Sequence, residues 1–208
     1  GALDAYELER KELISRLQRT AMVSLGWYEN ARRYNGLSPK QYAFNFLSRN
    51  KSVTYENLAL RDDGYGDDIN QWYADMVREE LGFDLPVDKP PPPMFTPYKI
   101  GNLTLQNRVV VAPMCQYSSD DGTPTDWQLV HLGNFAKGGA GLVITEMTNV
   151  SREGRISYKC AGMYKPEHVP AWRRIVDFVH ANSNSKICVQ LGHAGRKASC
   201  NIGWVERG

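Results

Sequence analysis

A thiol and a phenol follow directly after the apolar run RVVVAP (108–113). The valines predict a short strand buried on both faces, whereas Cys115 and Tyr117 bring polar groups that an apolar core does not need. A thiol is a weak S–H donor, and a phenol can donate or accept a hydrogen bond. The pattern favours a binding site at the end of this strand. The alternatives are that Cys115 is a small buried hydrophobe and that Tyr117 only covers the end of the sheet.

Polar residues also occur near the ends of two later runs, GLVITEMTNV (141–150) and KICVQLGHAG (186–195). Both runs are rich in apolar and β-branched residues and predict two more strands, the first of them buried. Glu146 and Thr148 lie near the end of the first run, and Gln190 lies in the second. A polar side chain on an apolar strand needs a hydrogen-bonding partner, which favours a site at Gln190. Ligands bind at the carboxyl ends of parallel strands, so the three strand ends together indicate one site.

The segments between these strands have the periodicity of helices. TDWQLVHLGNFAKGGAG (125–141) predicts a helix that ends at its glycines, and PAWRRIVDFVHAN (170–182) predicts an amphipathic helix. Strand, helix, strand, helix, strand predicts two right-handed βαβ units and a parallel sheet, so the fold class is α/β. YKIGNLTLQNR (98–108) predicts a hairpin before them. The sequence has neither a G-x-G-x-x-G after the first strand nor a G-x-x-x-x-G-K-[ST] phosphate loop.

Residues 1–85 form a predicted helical segment. Its expected helices run from Tyr6 to Tyr28 with Asp4 as N-cap, from Pro39 to Arg49 after Ser38, and from Asp67 or Asp68 as N-cap to Leu81, with Gly82 as the stop. Residues 86–93 hold five prolines, which predict an extended, semi-rigid linker. We interpret this stretch as a domain boundary before a second domain at 94–208. A proline-rich loop inside one domain is the alternative.

Composition and charge exclude several classes of protein. The chain is 42% hydrophobic and 23% charged with a net charge of +2, which gives no electrostatic case for nucleic acid or a membrane surface. The first 89 residues carry a net charge of −3 and the rest carry +5, consistent with two parts of different origin. The four cysteines form no C-x-x-C pair, so no metal site is expected. No membrane-length apolar run or signal peptide is present, and we expect a cytoplasmic protein with reduced thiols.

Several separate stretches resemble the first third of old yellow enzymes, the FMN-dependent ene-reductases with a TIM-barrel fold. They are PMFTPYKIGNLTLQNRVVVAPMCQYSSDDGTPTDWQLVHLGNFAKGGAGLVITEMTNVSREGRIS and KICVQLGHAGRKAS. The cysteine in PMCQYS resembles the bacterial, thermophilic-like subclass. The resemblance implies a partial (β/α)8 barrel of about three strands. It also implies hydride transfer from NAD(P)H through FMN to an activated alkene or an aromatic acyl-CoA derived ring.

The same resemblance implies roles for individual residues. The cofactor-binding positions are Ala112, Pro113, Met114, Cys115, Met147 and Gln190. Cys115 is expected at the O4/N5 edge of the flavin, where its S–H group tunes the potential, and Gln190 at the pyrimidine edge. Tyr117 is expected in the substrate pocket. Many relatives have serine where Ala112 stands and a small residue where Met147 stands, and Met147 fits a core position equally well.

Residues 2–90 resemble the end of a flavin hydroxylase half, as in fused proteins such as salicyloyl-CoA 5-hydroxylase and 2-aminobenzoyl-CoA monooxygenase/reductase. The stretches that carry this resemblance are YELERKELISRLQRTAMVSLGWYENARRY and QYAFNFLSRNKSVTYENLALRD. It implies that FAD belongs only to a domain upstream. The start without methionine indicates an excised or processed piece.

The catalytic residues of the family are expected downstream of Gly208, namely a carbonyl-binding His pair or His/Asn pair, a proton-donating tyrosine and a phosphate loop. We therefore expect this chain alone to bind FMN poorly and to be inactive. A non-catalytic truncated or connector segment that acts only in association is the alternative. Another FMN- or phosphate-binding TIM barrel with unrelated chemistry is a third hypothesis. The expected partner is a small-molecule or acyl-CoA substrate, with no nucleic acid or membrane; association into a homo-oligomer is left open.

Overall fold

A computed structural model of the chain describes residues 1–198 and 200–202. It divides into two compact units, residues 1–90 and residues 91–208. The division falls within the proline-rich stretch. Among the residues that the structure describes, no helix combines the length and the apolarity needed to cross a membrane.

The first unit is helical. Its helices are α1 (Ala2–Glu29), α2 (Pro39–Leu47), α3 (Tyr55–Ala59) and α4 (Asp63–Leu81). Ser38 caps α2 as predicted, and its hydroxyl accepts the Gln41 amide while Gln41 reaches back to the Ser38 amide. The side chains of Trp27 and Tyr34 stack with ring centroids 5.0 Å apart.

Two predicted helix starts in this unit are wrong. Helix α1 begins at Ala2, so Asp4 lies inside its first turn instead of capping it. Helix α4 begins at Asp63, and its N-cap is Asp62, whose carboxylate accepts the Tyr65 amide at 3.1 Å. The prediction of Asp67 or Asp68 as the N-cap is wrong because Asp62 caps the helix five residues before Asp67. The two glycines of the first turn, Gly64 and Gly66, do not prevent the helix from starting there. The predicted stop at Gly82 is confirmed, with a left-handed φ of 71°.

The second unit has an α/β core after a small hairpin. Its elements are β1 (Tyr98–Ile100), β2 (Leu103–Leu105), β3 (Val110–Val111), α5 (Asp126–Lys137), β4 (Leu142–Asn149), α6 (His168–Asn182) and β5 (Lys186–Gly192). Strands β1 and β2 pair antiparallel around Gly101-Asn102, as the sequence predicts. Strands β3, β4 and β5 form a parallel sheet in that order, which confirms the two predicted βαβ units.

The hydrophobic core lies between the sheet and helices α5 and α6. Its central members are Leu132, Ala136, Val143, Trp172, Ile175 and Val179. The Trp172 indole donates to the Gly162 carbonyl at 3.0 Å, so the buried ring has its polar group satisfied. The expectation that the run 108–113 is buried on both faces is not met, because Val110 is 46% exposed. Strand β3 lies at the edge of the three-stranded sheet, and only one face of that sheet packs against α5 and α6.

Candidate functional site

The carboxyl ends of β3, β4 and β5 lie along one edge of the parallel sheet. The segment 112–117 leaves β3, and Met147 on β4 pairs in register with Gln190 on β5. Sequence reasoning therefore correctly predicted that the three strand ends meet. We call this edge the strand-end rim and define it by residues 112–117, 145–149 and 190–192.

A β-bulge interrupts the pairing within the rim. Ile144 pairs with Cys188 and Met147 with Gln190, so β4 has one residue more than β5 between these pairs. The Thr145 hydroxyl oxygen accepts a hydrogen bond from the main-chain amide of Gln190 at 3.2 Å. This bond replaces one of the inter-strand hydrogen bonds that the bulge interrupts. A bulge changes the directions of the side chains around it. Here it leaves Glu146 buried, although Glu146 is an acidic residue near the end of a strand.

Glu146 is 3% exposed and is the centre of a buried polar network within the rim. Its carboxylate accepts hydrogen bonds from the main-chain amide of Gln116 at 3.1 Å and from the side-chain amide of Gln128 at 3.0 Å. It also accepts a hydrogen bond from the main-chain amide of Tyr117. Burial raises the pKa of Glu146, and these hydrogen bonds oppose the rise. Helix α5 positions Gln128 through a capping box with Thr125, whose amide donates to Gln128 Oε1 at 2.8 Å.

The Cys115 thiol is half-buried beside this network. It lies within hydrogen-bonding range of the Met147 main chain and of the Tyr117 side chain. Burial raises the pKa of the Cys115 thiol, and the negative charge of Glu146 adds to the rise. The thiol is therefore held in its neutral S–H form at neutral pH.

Tyr117 has an unusual backbone conformation for a residue with a side chain. Its φ is +53°, in the left-handed region that is uncommon outside glycine and asparagine. Burial raises the pKa of its phenol, and the proximity of the Cys115 thiol raises this pKa further. The loop is held further by the Gln116 side chain, which donates to the Met114 carbonyl at 2.9 Å and accepts from the Trp127 indole at 2.9 Å. Such outliers often mark functional sites.

The remaining predicted cofactor residues line the rim with different exposures. Ala112, Met114 and Gln190 are exposed, whereas Pro113 and Met147 are half-buried. The Met147 side chain lies over Gly192, where an added Cβ would come within 2.6 Å of Met147 Cγ. Gly192 is therefore required for this packing. The structure brings Cys115, Tyr117 and Met147 into contact, and it places Gln190 beside Met147 in the sheet.

A charged cluster fixes the loop that follows the rim. Asp121, with a φ of 43°, forms ion pairs with Arg152 at 3.0 Å, Arg155 at 3.1 Å and Lys165 at 3.1 Å. The hydrogen bond from Lys165 is the main cause that lowers the pKa of Asp121. These contacts tie the segment after β3 to the segment after β4.

The family model of the NADH:flavin oxidoreductase / NADH oxidase family matches residues 93–203 of this chain. The chain belongs to this family. An NADH:flavin oxidoreductase of Gibberella zeae is 45% identical over 54% of this chain and 27% of its own length. The NADPH dehydrogenase of Bacillus cytotoxicus is 47% identical over 50% of this chain and 31% of its own length. A solved structure of morphinone reductase with tetrahydroNAD is 34% identical, with a TM-score of 0.48 over 52% of this chain and 29% of that chain.

The predicted old yellow enzyme resemblance is thus confirmed at the level of the family. The chain spans about three tenths of the length of the curated relatives that it matches. The description of this family names a flavin and NADH, and the Bacillus cytotoxicus relative is an NADPH dehydrogenase. The roles of the individual rim residues stay predictions.

The donors and acceptors of the rim fit the ring edges of a flavin. Gln190 offers an exposed primary amide, which supplies both a donor and an acceptor, as the pyrimidine edge requires. Cys115 offers an S–H group, and the exposed segment from Ala112 to Met114 brings main chain to the same edge. When bound, FMN supplies the redox chemistry that this set of side chains lacks.

Sequence reasoning placed Glu146 at a strand end but missed its hydrogen-bonding partners, and it missed Gln128 altogether. The polar residue at the end of an apolar strand was visible, but its partners are 18 and 30 residues away in the chain. The capping box T-x-x-Q that starts α5 was the one local signal for the position of Gln128.

Proposed function

We propose that residues 94–208 form the first part of an FMN-binding barrel in a flavin oxidoreductase. The full polypeptide would transfer hydride from NADH or NADPH by way of FMN to an activated alkene or to an aromatic acyl-CoA derived ring. The observation that carries the proposal is the rim itself. In a chain of this family, a protonated thiol, a constrained tyrosine and an exposed amide lie at the carboxyl ends of three parallel strands.

Each of the rim side chains has a physical task in this proposal. The S–H group of Cys115 donates weakly towards the N5/O4 edge of the ring and alters the relative stability of its two redox states. Gln190 orients the ring by pairing with its pyrimidine edge, and the main chain from Ala112 to Met114 covers one side of it. Tyr117 lines the substrate side. Met147 covers Gly192 and closes the floor of the rim.

The first unit is proposed to be the end of a flavin hydroxylase that is fused to the oxidoreductase. Support comes from the resemblance of residues 2–90 and from the opposite net charges of the two parts. FAD would belong to the hydroxylase part upstream. We further propose a cytoplasmic location, which fits the free cysteines. Relatives named NADPH dehydrogenase support NADPH among the cosubstrates.

Equilibrium binding of FMN to the purified chain tests the proposal. Three strands supply only part of the contacts to a flavin, so we expect a dissociation constant of about 0.1 mM or weaker. Gln190→Leu should weaken binding by about tenfold, because one hydrogen-bonded edge of the ring is lost. Cys188→Ser on the same strand is the matched control and should leave the affinity within about twofold.

Turnover of NADPH by the chain with added FMN should stay at the rate of free FMN. Binding that is tight and stoichiometric would contradict the expectation that most of the site lies elsewhere in the polypeptide. An absence of any saturable binding at millimolar FMN, or equal effects of the two variants, would contradict the flavin assignment of the rim.

A further inference from the structure

Glu146 is a buried carboxylate that none of the proposed flavin contacts uses. The atoms around it are hydrogen-bond donors, namely two main-chain amides and the side-chain amide of Gln128. Gln128 also donates to the Ser119 hydroxyl at 3.0 Å, and its carbonyl oxygen accepts from Thr125. The orientation of the Gln128 amide is therefore fixed, and its NH2 group must point at Glu146.

The two main-chain amides belong to consecutive residues, Gln116 and Tyr117, which immediately follow Cys115. Consecutive amides that converge on one anion form an anion-binding concavity, and such concavities use a left-handed residue as their second member. Tyr117 with its φ of +53° is in that conformation. Left-handed backbone is costly for tyrosine, so the carboxylate offsets the strain that the loop contains.

We propose that Glu146 is a positioning residue, whose carboxylate holds the amides of Gln116 and Tyr117 and thereby fixes the Cys115 thiol and the Tyr117 phenol at the rim. The identity of the group that the thiol meets rests on the proposed function, whereas the positioning itself does not. Titratable groups face the Cys115 thiol from three elements: Glu146 from β4, Tyr117 from its own loop and Cys160 from the segment after β4.

Replacing the carboxylate by an amide should disturb the loop for a specific reason. In Glu146→Gln, a single oxygen must serve all the donors that the carboxylate now serves. If that oxygen faces the main-chain amides, the new NH2 group faces the NH2 group of Gln128, which Thr125 prevents from turning over. Two donors then oppose each other in a buried site. Turning the new side chain over relieves that conflict but points its NH2 group at the main-chain amides of Gln116 and Tyr117, and the loop is released.

The reactivity of Cys115 towards iodoacetamide measures this positioning without any flavin. The full chain is alkylated over a range of pH, and the rates at Cys115 and at the exposed Cys188 are read from the same digest by mass spectrometry. In Glu146→Gln, we expect the ratio of the Cys115 rate to the Cys188 rate at pH 7.5 to rise about tenfold, which corresponds to ~1.4 kcal/mol. The pH midpoint for Cys115 should fall towards the ordinary thiol value of about 8.5, and that for Cys188 should not move.

Two further variants separate positioning from general loosening. Ile175→Val removes one methyl group from the core between the helices and the sheet, and it should change neither the ratio nor the midpoint. Glu146→Asp keeps the negative charge, but its shorter side chain no longer reaches the amides of Gln116 and Tyr117. We therefore expect the ratio of the Cys115 rate to the Cys188 rate to rise, and the pH midpoint for Cys115 to fall less than in Glu146→Gln.

Three results would overturn the proposal. One is a ratio in Glu146→Gln that stays within about twofold of the parent chain. Another is an equal rise in Ile175→Val. The third is loss of the folded second unit in both Glu146 variants, which would make the role structural. Because no flavin is present, none of these results depends on whether the rim binds FMN.

Discussion

Replacing Gln128 by leucine should destabilise the second unit more than most single substitutions do. The side chain is 1% exposed and makes four hydrogen bonds. It donates to Glu146 and to Ser119, each at 3.0 Å, and it accepts from the main-chain amide of Thr125 at 2.8 Å and from the Thr125 hydroxyl at 3.0 Å. A hydrogen bond to a charged group contributes ~1.5–3 kcal/mol and a neutral one ~0.5–1.5 kcal/mol. Leucine recovers part of this by apolar burial, so we expect a net loss of about 3 kcal/mol.

Hydrogen exchange of the β4 amides, followed by mass spectrometry, measures this loss in the second unit alone. A loss of about 3 kcal/mol should accelerate the slowest β4 exchange by roughly 150-fold, since each 1.4 kcal/mol is a factor of ten. Asn134→Leu, at an exposed position of the same helix, is the control and should change the stability by ~0.5 kcal/mol or less. An acceleration below about tenfold in Gln128→Leu would refute the view that this network stabilises the unit.

Three other substitutions or conditions test separate parts of the structure. Gly141→Ala should cost about 3 kcal/mol or more in urea unfolding, because its Cβ would come within 2.2 Å of the Asn107 carbonyl oxygen; an unchanged midpoint would contradict this packing. His168 has its pKa lowered by burial and accepts the Tyr164 amide, so the unfolded chain binds its proton more readily and stability should fall as the pH drops below about 6.5. His168→Gln should flatten this fall, and an identical pH dependence in both proteins would refute the assignment. Asp62→Ala should lower the stability of the first unit by about 1 kcal/mol, as followed by circular dichroism, and no loss would show that this cap is unimportant.

Local signals were sufficient for much of the fold. Ser38 followed by Pro39 predicted the start of α2, and Gly82 predicted the end of α4, because both signals act within one turn. The alternation of strand-like and helix-like segments predicted the parallel sheet, because each segment shows its own periodicity within a short stretch of sequence. Where two local signals competed, as between Asp62 and Asp67, the sequence did not decide which residue would begin the helix.

The site was predictable only in part. Cys115, Tyr117 and Gln190 were predicted because polar residues at strand ends are conspicuous, and the structure places all three at the rim. Glu146 acquires its role from a bulge and from partners on another helix and loop, and a bulge depends on pairing between strands that no local pattern encodes. Helix α3 was missed although its cap, Thr54, was visible in the sequence, because five residues are too few for a clear periodicity.

We propose that the strand-end rim is the flavin-facing edge of this chain, and nuclear magnetic resonance of the 15N-labelled chain titrated with FMN can detect this residue by residue. We expect concentration-dependent shifts confined to the amides of residues 112, 114–117, 145–149 and 190–192, with the amides of α1 and α2 unchanged. Gln190→Leu should reduce these shifts at the same FMN concentration. Shifts that centre on the helical unit, or that leave the rim unaffected at saturating FMN, would show that the rim does not face the flavin.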